Sequence, residues 1–193
     1  MINKISENFL EILEQCRTTM KKASWDKENK EYMVKSELEV INFDNLKSKY
    51  CKMMKLNGEG IKSNDVLFIK NDKFVFIEFK NGKNIKRYDL QQKNYDSILI
   101  FNDIFNKTLK DTRIEMDYIL VYNSKYNEKL GGQFLGKMKI VTEKLGLEKF
   151  EKYFFNKVYT YSKEEFEEKF VNKDGKLRIL FRKIAKRNKN VNL

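Results

Sequence analysis

Residues 65–80 read Asp65-Val66-Leu67-Phe68-Ile69-Lys70-Asn71-Asp72-Lys73-Phe74-Val75-Phe76-Ile77-Glu78-Phe79-Lys80. Two runs rich in β-branched and aromatic residues flank Asn71-Asp72, a pair suited to a tight turn, so the stretch predicts a β-hairpin with a two-residue loop. Both runs are apolar on both faces for most of their length, which predicts central strands covered on both sides. A two-residue loop also sets the register: Lys70 faces Lys73, Phe68 faces Val75, and Asp65 faces Glu78. Directly opposed residues point to one face with Cβ atoms about 5 Å apart. Lys80, two residues past Glu78, shares that face. A slip of one residue would separate the three.

Outward from the hairpin, residues 5–22 predict an amphipathic helix with Ile5, Phe9, Ile12 and Leu13 on one side, and residues 30–50 predict a second helix. Leu56-Asn57-Gly58-Glu59-Gly60 breaks the chain, and Asn81-Gly82 ends the second hairpin strand. A long helix is expected over 85–105, with Ile85, Tyr88, Tyr95, Ile98, Leu99 and Phe105 contributing to its buried surface. A strand follows over 116–122, then a loop over 123–136. Short helices complete the chain, with a further strand at 158–161. Helix, hairpin, helix, strand in that order predicts an α/β fold of the mixed type: a mixed sheet with helices on its faces. The 193 residues are read as one domain, with a core over 30–122 and a basic segment, helix or tail, over 173–193.

Forty Lys and Arg against twenty-eight Asp and Glu leave a formal charge of +12. Such a field attracts polyanions, nucleic acid first among them. The chain holds no histidine, so His-based triads, bases and metal ligands are excluded. Any metal must be held by oxygen, which favours Mg²⁺ or Mn²⁺. Two cysteines, Cys16 and Cys51, give neither a disulfide framework nor a zinc site. A reducing, cytoplasmic compartment is expected. The start of the chain lacks the apolar run of a signal peptide, and no apolar run reaches membrane-spanning length.

Two opposed carboxylates repel, and a sheet interior excludes them, unless a cation binds both. A divalent ion on Asp65 and Glu78, with Lys80 to orient or deprotonate a water, supplies the parts for in-line phosphodiester hydrolysis. Asp65, followed across a hairpin by Glu78-Phe79-Lys80, resembles the PD-(D/E)xK nuclease superfamily, over about residues 30–122. That resemblance implies a restriction-endonuclease-like core of order α-β-β-β-α-β, an acidic pair binding the metal, and a lysine assisting hydrolysis. Asn64 stands where the motif's Pro would be. The first of the three leading strands is not evident, with 52–56 as the candidate. The resemblance also implies a further acid on the helix before the hairpin. Glu37 is the candidate, lying in an apolar stripe with Val34, Leu38 and Ile41.

For the nucleic acid, DNA favoured over RNA, the candidate contacts are Lys83, Lys86, Arg87, Gln92 and Lys93 along the helix after the motif. Arg178, Arg182 and Lys186 join them from the basic segment, where 173–189 carries eight basic residues against Asp174 alone. The helix residues also read as the solvated face of an amphipathic helix, and the basic segment as a disordered tail or a basic helix on an acidic partner or membrane surface. Trp25, Tyr32 and the aromatics of 153–161 offer rings for base stacking, although core packing accounts for most such residues. Restriction, repair, phage defence and a toxin all suit the reading, with a homodimer or a cognate inhibitor as further partners. Two rival readings are a non-cleaving nucleic-acid-binding module of the same fold and a protein-interaction component such as a toxin-neutralising partner.

Overall fold

A computed structural model of the chain describes residues 7–71, 73–127 and 137–172. At its centre β5 (Val66–Lys70) and β6 (Lys73–Lys80) pair antiparallel, with Lys70 opposite Lys73 and Phe68 opposite Val75, the register a two-residue turn imposes. Asn71 turns the chain at φ 48°, a left-handed conformation that asparagine tolerates better than most residues.

Four more strands complete a six-stranded mixed sheet: β1 (Arg17–Thr19), β4 (Glu39–Asn42), β7 (Met116–Tyr122) and β8 (Lys157–Ser162). The sheet order is β1-β4-β5-β6-β7-β8. β1, β4, β5 and β6 are successively antiparallel, and β7 and β8 then run parallel to β6. β2 (Trp25–Asp26) and β3 (Glu31–Tyr32) form a separate small hairpin.

The period of two along each strand sorts the apolar residues into two cores. Leu67, Phe74, Phe76, Tyr118 and Leu120 face α1 (Glu7–Gln15), α3 (Phe43–Met53) and α4 (Arg87–Phe105). Val66, Phe68, Ile77, Ile119 and Val121 face the other side. There they meet Met20 of α2 (Met20–Ala23) and Phe166 of α7 (Lys163–Phe166). The hairpin is therefore buried from both sides, as its composition predicts. The chain crosses from β6 to β7 through α4 and α5 (Leu109–Glu115). Asn106 ends α4 in the left-handed conformation, and Thr108 with Asp111 caps α5 reciprocally. α6 (Lys137–Lys144) follows β7 and precedes β8.

Several sequence expectations are corrected. Residues 30–50 do not form one helix. They form β3, an extended stretch, β4, and only then α3, whose N-cap Asn42 accepts from Asn45 N–H. The apolar period of 34–41 is that of a chain passing over the second core, where Val34, Leu38 and Val40 are buried. Residues 52–56 are not a strand, because α3 runs to Met53 and a turn follows. The strand that precedes the hairpin in the sheet is β4. The first helix stops at Gln15, and the chain then pairs as β1. α4 buries Leu90, Asn94, Ile98, Phe101 and Phe105, whereas Tyr88 and Leu99 face outward. Cys16 and Cys51 are buried free thiols. No helix among the described residues is long and apolar enough to cross a membrane.

Candidate active site

Just before β5, where its ladder pairing with β6 ends at Val66–Ile77, the Asp65 carboxylate takes the place of a backbone acceptor. Its Oδ2 receives the Phe79 N–H at 2.7 Å. This bond holds Asp65 beside the end of β6, on the face that Glu78 and Lys80 share. α4 lies over that face and lowers two side chains into it. Lys93 Nζ donates to Glu78 Oε1 at 2.6 Å and to Asp65 Oδ1 at 3.1 Å. Asp89 Oδ2 accepts from Lys80 Nζ at 3.0 Å, and Lys80 Nζ lies 3.0 Å from Glu78 Oε1. Lys62 Nζ reaches the other Asp89 oxygen at 2.5 Å. The result is a chain of alternating charge: Lys62, Asp89, Lys80, Glu78, Lys93, Asp65.

Burial sets the energetics of this chain. Glu78 is fully buried, and its Oε2 has no hydrogen-bond partner among the described residues. Loss of water, and secondarily the nearby Asp65 charge, push its carboxyl up to about 7 against the pull of the two lysines. Burial works against the Lys93 ammonium, but Glu78 and Asp65 outweigh it and hold the pKa above the usual lysine range. Lys80 is raised in the same way, burial being overcome by Glu78. Burial also opposes ionisation of Asp89, yet bonds from Lys62 and Lys80 hold it down at about 2.

A polar layer backs the acids. Asn64 N–H donates to Ser97 Oγ at 2.8 Å, and its amide donates to Asn94 Oδ1 at 3.1 Å, so the residue before Asp65 is pinned to α4. Three asparagines fix the chain after Lys80. Asn123 donates to Asn81 Oδ1 at 2.7 Å, Asn81 to Glu31 Oε1 at 2.9 Å, and Asn127 to the Gly82 carbonyl at 3.0 Å.

Asp65 and Lys80 open on a cleft of about 380 Å³. Trp25, Lys27 and Glu28 of the β2–β3 hairpin line it, as does Asp44. Asp44 lies in the first turn of α3, where the helix dipole favours an anion, and Ser63 Oγ donates to it at 2.5 Å.

No protein-family model matches the chain, and no curated protein or solved structure is significantly similar to it.

Asp65, Glu78 and Lys80 therefore converge as the hairpin register predicts. Glu37 does not join them: it is exposed in the extended stretch before β4 and lies 3.7 Å from Lys21. Among the described residues no three acidic side chains form a ready metal-ligating group. Lys93, read from sequence as a phosphate contact, sits inside the acidic pair. Gln92 donates to the Gly60 carbonyl at 2.8 Å and ties the 57–60 loop to α4. Lys83, Lys86 and Arg87 are exposed around the start of α4, and Arg87 lies over Gly146. Arg178, Arg182 and Lys186 lie outside the described residues.

Sequence reasoning missed Asp44 and Asp89. Reading Asn42 as an N-cap would have started α3 there and set Asp44 in its first turn. Asp89 carries no local signal, since its partners come from residues 62 and 80.

Proposed function

We propose that this protein is a metal-dependent nuclease of the PD-(D/E)xK type that hydrolyses phosphodiester bonds, DNA before RNA. The observation that carries the reading is the meeting of Asp65, Glu78 and Lys80 on one face of a buried hairpin, beside an open cleft. Supporting it, β4, β5 and β6 run antiparallel and α4 leads to a parallel β7, with α3 inserted between the first two strands. That order is compatible with the α-β-β-β-α-β core the resemblance implies, apart from the inserted α3.

The donor set suits a hard divalent cation. Glu78 Oε2 is a buried acceptor without a partner among the described residues, and Asp65 lines the nearby cleft. Asp65 and Glu78 would hold Mg²⁺ or Mn²⁺, with Asp44 at the rim in the part first given to Glu37. A bound ion supplies Lewis-acid polarisation of the phosphate and a more acidic water. Lys93 is the resident counter-ion of both acids, so an entering cation competes with its ammonium.

Lys80 keeps its proton between Glu78 and Asp89. It therefore acts as a fixed positive charge that orients water and stabilises the anionic phosphate, and not as a base. Exposed Lys83 and Lys86, with the overall positive charge, draw the polyanion toward the cleft.

A second reading is favoured by one observation. Lys93 already neutralises both acids internally, as a binding module that keeps the fold without cleaving would require. Cleavage of single-stranded and duplex DNA with Mn²⁺, by the wild type and by Glu78→Gln, separates the two. The nuclease reading expects wild-type cleavage and a loss of at least a hundredfold in the variant, with DNA binding retained. Binding by both proteins and cleavage by neither would overturn it.

A further inference from the structure

We propose that Trp25 forms a base-stacking wall of the cleft, and that the nucleic acid enters as an unpaired single strand. This rests on the nuclease reading for the direction of the strand, but not for the existence of the wall.

Trp25 and Tyr32 face each other across the β2–β3 hairpin, with ring centroids 4.6 Å apart and planes inclined at 51°. They are 41% and 43% exposed, whereas most of the chain's phenylalanines are buried in the two cores. Lys21 Nζ stands 5.3 Å from the Tyr32 ring centre, which occupies the tyrosine with a cation–π contact. Trp25 lines the same cleft as Asp65 and Lys80.

Hydrogen bonds tie the wall to its surroundings. Ser24, buried beneath it, exchanges hydrogen bonds with Met33 and Val34 through its carbonyl and hydroxyl. Asp26 closes the hairpin loop by accepting from Glu28 N–H, Asn29 N–H and the Asn29 amide. Glu31 anchors the far strand by accepting from Asn81 and Asn123, the residues that follow β6 and β7. A hairpin of two short strands is weak alone, and these ties hold it against the end of the main sheet.

Charge and size choose the ligand's form. Asp26 and Glu28 flank Lys27 on this wall, so it does not attract phosphate. Lys80 is the lining cation beside the acidic pair. A strand whose phosphate lies by Lys80 places a neutral base face against the indole. The cleft's volume falls in the range of small-ligand pockets, about 300–1,000 Å³, which suits a nucleotide. A duplex covers its base faces with neighbouring bases, and offers none to a wall without unstacking.

Trp25 is the chain's single tryptophan, so its fluorescence reports this wall alone. The probe is an oligothymidylate of about eight nucleotides, a length that spans typical single-strand sites, set against a blunt duplex. Full-length protein carrying Glu78→Gln is titrated in Mn²⁺ buffer. We expect saturable quenching by the single strand and little by the duplex. By anisotropy of a labelled strand, Trp25→Ala binds at least tenfold more weakly and Trp25→Phe recovers most of the loss. Unchanged fluorescence, equal quenching by the duplex, absence of binding, or undiminished binding by Trp25→Ala each overturns the proposal. Quenching without wild-type cleavage would sink the nuclease reading and leave the wall. Cleavage of single strands by Trp25→Ala at unchanged KM would do the reverse.

Discussion

Replacing Glu78 by glutamine removes a buried charge while keeping the side chain's shape, and its effect on stability depends on pH in a way the site dictates. In the folded chain the Glu78 carboxyl is pushed from 4.5 up to about 7, chiefly by burial. Between those pH values the folded state keeps this proton while the unfolded chain has lost it. Stability therefore falls as pH rises across the window, and the loss is complete above about 7. At about 1.4 kcal/mol per pH unit the full loss is about 3.5 kcal/mol, most of it between pH 5 and pH 8. Glutamine does not titrate, so the variant lacks this loss. Lys93 and Lys80 stay protonated throughout and Asp89 stays ionised, so they do not distort the comparison. Urea unfolding of both proteins at pH 5 and pH 8, in buffer with a chelator, gives the difference of differences. We expect Glu78→Gln to gain about 3 kcal/mol on the wild type between the two pH values. In thermal melts that is roughly 6–12 °C for a chain of this size. Parallel pH profiles would refute the reasoning, because they would mean that Glu78 stays ionised on folding at no cost.

Lys93→Met should destabilise the chain by about 3 kcal/mol at pH 8, and by less at pH 5 where Glu78 takes up a proton, as read by urea midpoints. Lys80→Met should lower the rate of DNA cleavage at least a hundredfold while leaving filter binding within a few fold. Asp44→Asn should weaken Mn²⁺ binding measured by calorimetry, whereas Glu37→Gln should leave both Mn²⁺ binding and cleavage unchanged. Phe101→Ala removes a fully buried ring packed 4.9 Å from Phe74 and 4.5 Å from Phe105, and should cost about 3–5 kcal/mol in chemical denaturation at any of these pH values.

The sequence by itself determined the hairpin, its register, and the shared face of Asp65, Glu78 and Lys80. All three follow from a period of two and a two-residue turn, which are local rules. The strand at Met116–Tyr122 was legible as a continuous apolar run and the long helix after the motif by its length, although Tyr88 and Leu99 of its expected buried face point outward. Residues 30–50 were misread because an extended segment crossing a core can mimic helical spacing, and Glu37 was misplaced with them. Only the tertiary structure decided that Lys93 descends from α4 between the two carboxylates, that Asp89 links Lys62 to Lys80, and that Asp44 borders the cleft. The contacts of Lys93 and Asp89 join residues 9 to 28 positions apart through the packing of α4. The free energy of burying Glu78 belongs to that packing, and no local pattern in the chain encodes it.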